Sequence, residues 1–77
     1  MARPNGSNST HLTDREQEIL RSIWDGLRNH EIGSRLKISV KTVEAHRANM
    51  MKKMRVSNAA QLVKAAIEEG FIKVKRT

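Results

Sequence analysis

Apolar residues recur every three or four positions along most of this chain, which is the spacing of one face of an α-helix. Short polar stretches divide the pattern into four segments. No segment alternates apolar and polar residues as a half-buried strand does. The pattern therefore predicts an all-α fold, a domain of four helices joined by short turns.

The first predicted helix begins at Thr13. Thr13 and Glu16 have the spacing of a capping box, in which each side chain accepts a hydrogen bond from the other residue's backbone N–H. Gly26 marks the predicted end. The predicted buried face consists of Ile19, Leu20, Ile23, Trp24 and Leu27.

The second predicted helix is short, with Asn29 as its cap and with Ile32 and Leu36 facing inward. Gly33 lies inside it, which costs roughly 1 kcal/mol relative to alanine. We expect the close approach of another helix to offset that cost. A tight turn follows, in which Ile38 is predicted to fill part of the core.

The third predicted helix is capped by Ser39 and has two different sides. At about 100° per residue, its apolar side consists of Val40, Val43, Met50 and Met54. The opposite side consists of Lys41, Glu44, Ala45, Ala48 and Lys52. One flank between them holds Thr42, His46, Asn49 and Lys53. The exposed side is therefore small in its middle and basic at its edges.

The fourth predicted helix is capped by Ser57 or Asn58 and ends at Gly70, after which Phe71 and Ile72 are expected to fold back onto the core. Its predicted buried stripe consists of Ala59, Leu62, Val63, Ala66 and Ile67. The outward residues are Gln61, Lys64, Ala65 and Glu68. Small residues of mixed charge can make a two-fold contact, although composition alone is equally compatible with a solvated face.

The net charge of +7 comes from 15 lysines and arginines against 8 acidic residues. Six of the basic residues lie between Lys37 and Arg55, where Glu44 is the single acid. Such clustering favours a polyanionic partner. Trp24 and Phe71 are the only aromatic residues, too few for the stacking surfaces of a single-strand binder, so double-stranded DNA is the better match.

The length of 77 residues is typical of one domain. We predict a flexible leader at 1–11, the folded domain at 12–72 and a basic tail at 73–77. The sequence has no cysteine, no secretory signal and no apolar run of membrane-spanning length, which favours a soluble cytoplasmic protein. The three histidines lack a metal-ligand spacing, and no nucleophile has an adjacent base. We therefore expect no metal, no cofactor and no enzymatic activity.

The second and third helices, with the tight turn between them, are predicted to form a helix-turn-helix whose third helix, residues about 40–54, enters the major groove. Alanines let that helix sit deep and can touch thymine methyl groups. The predicted base-facing residues are Lys41, Glu44, Ala45 and Ala48. The predicted phosphate-facing residues are Thr42, His46, Arg47, Asn49, Lys52, Lys53 and Arg55. Glu44 can accept a hydrogen bond from a cytosine amino group. The alternative is an ordinary solvated helix face.

Several segments together also resemble a known family, over about residues 12–72. They are LTDREQEIL at Leu12–Leu20, Gly26, EIGSRLKIS at Glu31–Ser39, TVEAHRANM at Thr42–Met50, KM at 53–54 and Val56. This combination resembles the LuxR/FixJ/GerE/NarL type of DNA-binding domain, and TVEAHRAN looks closest to the FixJ-like branch. The resemblance implies a four-helix domain of a bacterial transcription regulator that binds promoter DNA as a weak dimer through its last helix.

The resemblance also assigns roles to positions of this sequence. Glu44, Ala45 and Ala48 fall on the family's base-facing sites, and its phosphate-facing sites correspond to Thr42, His46 and Lys52. Many members carry lysine where this chain has Glu44, so we expect different preferred bases. The dimer contact would involve Gln61, Lys64, Ala65 and Glu68. RNA polymerase is a further candidate partner.

Two other functions remain open from the sequence. A sigma-factor region-four-like domain also combines a basic recognition helix with polymerase contact, although the HRAN segment favours the first interpretation. A small protein-interaction module, pairing with another regulator's helix-turn-helix, would need the fourth helix but not the basic face of the third.

Overall fold

The computed structural model describes residues 11–74 of the chain. Across this range it contains four α-helices and no strand: α1 (Asp14–Trp24), α2 (Asn29–Leu36), α3 (Val40–Met54) and α4 (Ala59–Glu69). The predicted four-helix, all-α fold is confirmed. Most of the predicted leader and the last three residues of the predicted tail lie outside the described residues. None of these four helices is both long and apolar enough to cross a membrane.

The helices α1, α3 and α4 begin at the predicted caps. In the capping box of α1, the Glu16 N–H donates to Thr13 Oγ1 at 3.1 Å and the Thr13 N–H donates to Glu16 Oε1 at 2.9 Å. Ser39 Oγ accepts from the backbone of the third helical residue of α3 at 3.0 Å. Asn58, rather than Ser57, caps α4, because its Oδ1 accepts the Gln61 N–H at 2.8 Å.

The predicted cap of α2 was wrong. Asn29 is the first residue of the helix, and Arg28 holds the N-cap position. The Glu31 carboxylate reaches back and accepts the Arg28 N–H at 2.7 Å, which satisfies this helix end without a side-chain cap. Because Asn29 is not the cap, its side chain makes another contact. Its Oδ1 accepts a hydrogen bond from Arg47 Nη1 at 3.0 Å.

All four helices contribute to one core, and α3 packs against each of the other three. The buried apolar residues of this core are Leu12, Ile19, Leu20, Ile32, Val43, Met50, Met54, Leu62, Ala66 and Ile72. Gly70, at φ +88°, ends α4 as predicted. Ile72 is buried and Phe71 packs against the core, so the predicted return of the chain after α4 is confirmed.

Three residues predicted to lie in the core are exposed. Trp24, Val40 and Ile67 keep 42%, 40% and 37% of their surface accessible. Trp24 is the last residue of α1 and Val40 the first of α3, and at these helix ends the other helices leave both side chains partly uncovered. Ile67 lies in the last turn of α4. Conversely, Ala65 was predicted to point outward but is half-buried against the core.

The turn between α2 and α3 is held close to α2 at Gly33. A Cβ atom at this position would lie 2.7 Å from the Ile38 carbonyl oxygen, so only glycine fits the present backbone. The close approach expected from another helix comes instead from this turn. Lys37 ends α2 in the left-handed conformation (φ 60°), and Ile38 packs against the core as predicted. The start of α3 is thereby fixed relative to α2.

Candidate nucleic-acid interface

The four predicted base-facing residues all lie exposed on α3: Lys41, Glu44, Ala45 and Ala48. Lys52 is exposed as well. Within residues 11–74 no side-chain hydrogen bond or ion pair involves Lys41, Glu44 or Lys52, so their polar atoms are left to solvent or to a partner. In the middle of this face the side chains are only the methyl groups of Ala45 and Ala48. Such short side chains permit close approach to the base edges in a DNA groove.

The basic residues of this face continue to the end of the helix. Arg55 is exposed and ends α3 in the left-handed conformation (φ 58°), which costs a residue with a Cβ roughly 1 kcal/mol or more. Lys41 lies near the opposite end of the helix and Lys52 one turn before Arg55. Positive charge thus borders the alanines at both ends, as binding along a phosphate backbone requires.

One flank of α3 carries further hydrogen-bonding side chains. Thr42 and Asn49 are exposed, and His46 is half-buried. The Thr42 hydroxyl lies 2.9 Å from Ser39 Oγ, so it is already oriented by the cap of the helix. These groups can donate to or accept from a DNA backbone beside the groove.

Arg47 is half-buried on the side of α3 that faces α2. Its Nη1 donates to Asn29 Oδ1 at 3.0 Å, which links the middle of α3 to the start of α2. Its half-burial fits an arginine whose aliphatic stem packs against the protein while its charged head lies at the surface. Whether its head also reaches a phosphate stays a prediction.

Lys53 is engaged within the protein. Its Nζ donates to Glu16 Oε1 at 2.7 Å and to the His11 carbonyl oxygen at 3.1 Å. The Glu16 side chain is only 3% exposed, so its charge depends on this partner. Burial raises the pKa of Glu16, but the Lys53 ammonium and the hydrogen bonds from Thr13 outweigh that effect and hold the pKa below its usual value. The predicted phosphate contact of Lys53 stays untested.

Sequence reasoning treated Glu16 only as part of a capping box and missed its role as the partner of Lys53. A signal was available, because Glu16 precedes Ile19 and Leu20 by three and four positions and so shares their buried face. A carboxylate on a buried face requires a cationic partner. Its identity could not be read from the sequence, because 37 positions separate Glu16 from Lys53.

The predicted dimer contact on α4 is only partly outward. Gln61, Lys64 and Glu68 are exposed, whereas Ala65 packs against the core. The Gln61 side chain accepts a hydrogen bond from the Ser57 N–H at 2.8 Å, which ties it to the start of the helix. Ile67 adds an exposed apolar side chain to the same helix.

Comparison with known families decides what kind of domain presents this face. Residues 10–66 match the family described as bacterial regulatory proteins, luxR family. The chain belongs to the luxR family. Its members' DNA-binding domains are helix-turn-helix domains of transcription regulators, which confirms the resemblance inferred from the sequence and favours it over the sigma-factor alternative.

Relatives of this luxR-family domain include regulators from several bacteria. The chain is 48% identical over 64 residues to YgeK of Escherichia coli K12, an uncharacterized response regulatory protein, with 83% of the chain and 44% of YgeK covered. It is 43% identical over 60 residues to the transcriptional regulatory protein FixJ of Rhizobium meliloti, with 78% of the chain and 29% of FixJ covered. The chain therefore spans less than half the length of these relatives.

Solved structures of the family share the fold. The transcription factor GerE superposes with a TM-score of 0.76 at 34% identity, covering 83% of this chain and 94% of GerE. VqmA of Vibrio cholerae, solved with ligand and DNA, superposes with a TM-score of 0.78 at 29% identity, covering 97% of this chain and 33% of VqmA.

Proposed function

We propose that this luxR-family domain binds promoter DNA sequence-specifically, with α3 in the major groove. The exposed face of α3 is the observation that carries the proposal. Its polar side chains have no partner within residues 11–74, its middle is small, and its ends are basic. A helix about 10–12 Å across with its side chains fits a groove about 12 Å wide, and short central side chains let its backbone lie closer to the base edges.

The proposed readout divides the face by chemistry. Ala45 and Ala48 contact thymine methyl groups, Glu44 accepts from a cytosine amino group, and Lys41 donates to guanine or to a phosphate. Phosphate contacts along the edges position the helix but carry no sequence information. Their proposed donors are Thr42, His46, Arg47, Asn49, Lys52 and Arg55.

We further propose that two copies bind together through α4. Gln61, Lys64 and Glu68 supply the polar part of that contact, and the exposed Ile67 supplies apolar surface that monomeric packing leaves uncovered. A promoter-binding regulator works in the cytoplasm, where RNA polymerase is its natural further partner.

Selection of bound duplexes from a random pool, at two salt concentrations, tests this function. We expect enrichment of an inverted repeat with half-sites about one helical turn apart, as two-fold binding requires. Affinity for all duplexes should fall with salt, while the preference for the enriched sequence persists. Enrichment of a single half-site would support DNA binding and contradict the dimer.

Titration with duplex oligonucleotides, followed by NMR, provides the opposing test. Amide resonances of residues 41–55 should move. If they stay unmoved at low ionic strength while another regulator's helix-turn-helix domain shifts those of α4, the protein-interaction alternative replaces the proposal.

A further inference from the structure

Outside the exposed face of α3, the ion pair between Glu16 and Lys53 is notable for its short distance and its burial. The ammonium lies 2.7 Å from a carboxylate oxygen that is itself almost inaccessible to solvent. We propose that Lys53 is a positioning residue for DNA binding, which fixes the end of α3 to α1 and contacts no phosphate. This inference rests on the proposed function and replaces the phosphate role that the sequence assigned to Lys53.

The partner of Lys53 is itself held in place. Glu16 Oε1 also accepts the Thr13 N–H at 2.9 Å, while the Glu16 N–H donates to Thr13 Oγ1. The carboxylate is therefore fixed by the first turn of α1. An ammonium bound to such a group holds the helix that carries it at a defined distance, and Lys53 is the last residue but one of α3.

Separation of the Lys53 ammonium from the Glu16 carboxylate would be unfavourable. Glu16 and the His11 carbonyl oxygen take two of the three N–H donors of the Lys53 ammonium. A movement of the ammonium out to a phosphate would leave Glu16 unpaired, and a buried carboxylate without a partner is strongly disfavoured. The stabilisation gained at an exposed phosphate is small and is screened by salt. The cost of an unpaired Glu16 exceeds the gain at a phosphate, so we expect the ion pair to persist when DNA is bound.

The same ammonium also holds the chain where it leads into α1. Lys53 Nζ donates to the His11 carbonyl oxygen at 3.1 Å. A displacement of the chain at His11 therefore acts on the group that fixes the end of α3.

Lys52 offers a matched control, because it is adjacent in sequence but about 100° away around the helix. It is exposed and has no side-chain partner within residues 11–74. Replacing either lysine by methionine removes one charge and keeps a similar length.

The experiment measures affinity for one duplex against salt concentration for the parent protein, Lys53→Met, Lys53→Arg and Lys52→Met. Lys52→Met should lower the slope of log K against log salt by about one. Lys53→Met should leave the slope unchanged and weaken binding roughly fivefold or more at every salt concentration. Lys53→Arg should restore affinity, because its guanidinium can pair with the same carboxylate.

NMR of the free protein supplies a signature that does not depend on DNA. The carbonyl carbon of His11 and the amide of Thr13 should shift in Lys53→Met, and stay in place in Lys52→Met. The double variant Glu16→Gln/Lys53→Met removes the unpaired carboxylate, so it keeps the test valid if Lys53→Met unfolds. Its slope should equal that of the parent.

A loss of about one unit of slope in Lys53→Met, or in the double variant, would overturn the inference and restore the phosphate contact. Unmoved His11 and Thr13 resonances would overturn it as well. A parent protein that binds no duplex at any salt concentration would overturn the proposed function, and the role of Lys53 in DNA binding would fall with it. The two failures are thus distinguishable.

Discussion

The inner and outer faces of α3 differ in what their side chains can do. Val43 and Met50 point inward and are fully buried against the other helices. Ala45, Ala48 and Lys52 point outward and are exposed. One helix thus supplies both the centre of the core and the proposed DNA-binding face. The difference predicts that inner substitutions change stability, whereas outer ones change binding at nearly constant stability.

The largest expected effect is on the inner face. Val43→Ala should lower the free energy of unfolding by about 2 kcal/mol, because it removes two buried methyl groups and leaves a cavity. Urea denaturation measures the change. Val40→Ala deletes the same atoms from the exposed start of α3 and should change stability by less than about 0.5 kcal/mol. Equal losses in the two variants would contradict the assignment of stability to the buried centre of the inner face.

The second effect is on the outer face. Ala48→Glu places a long acidic side chain in the middle of the proposed interface and should weaken duplex binding by about tenfold or more, with altered sequence preference. Gln17→Glu makes the same change in net charge on the exposed side of α1, away from both proposed contacts, and serves as the control. Both variants should unfold at nearly the parent's urea concentration. Equal binding by the two variants would remove α3 from the interface.

A third effect concerns the ion pair between Glu16 of α1 and Lys53, which lies on the flank between the inner and outer faces of α3. Glu16→Gln should cost about 1 kcal/mol at neutral pH, because it weakens a charged hydrogen bond to the half-exposed Lys53. The pKa of Glu16 is lowered by folding, so the ion pair stabilises the protein above pH 4.5 and its contribution is lost as pH falls through the folded-state pKa. Urea denaturation at several pH values should show the parent and the variant converging in acid. A constant difference would contradict this assignment.

The sequence predicted the helices and their order because apolar spacing and caps are local properties. Thr13, Ser39 and Gly70 act where they were predicted to act, since a cap needs only neighbours three or four positions away. The same information allowed five outward residues of α3 to be recognised as one face.

What the sequence could not predict depends on distant neighbours. An ideal helical wheel places Val40 and Val43 on one side, but whether a side chain is covered depends on where the other helices end. Ile67 was assigned to the core for the same reason and is 37% exposed. The partners of Lys53 are far away in sequence, so its charge was read as available to DNA.

The smallest expected effect isolates a single outer charge. Lys52→Ala should weaken binding to all duplexes alike, by about threefold at moderate salt, and lower the salt slope by about one, because one phosphate contact is lost. Stability should stay within about 0.5 kcal/mol of the parent, since Lys52 is exposed. Lys73→Ala, an exposed lysine beyond α4, is the control for net charge and should leave the slope unchanged. If Lys52→Ala changed only the preferred sequence, Lys52 would belong among the base-reading residues rather than at the edge of the face.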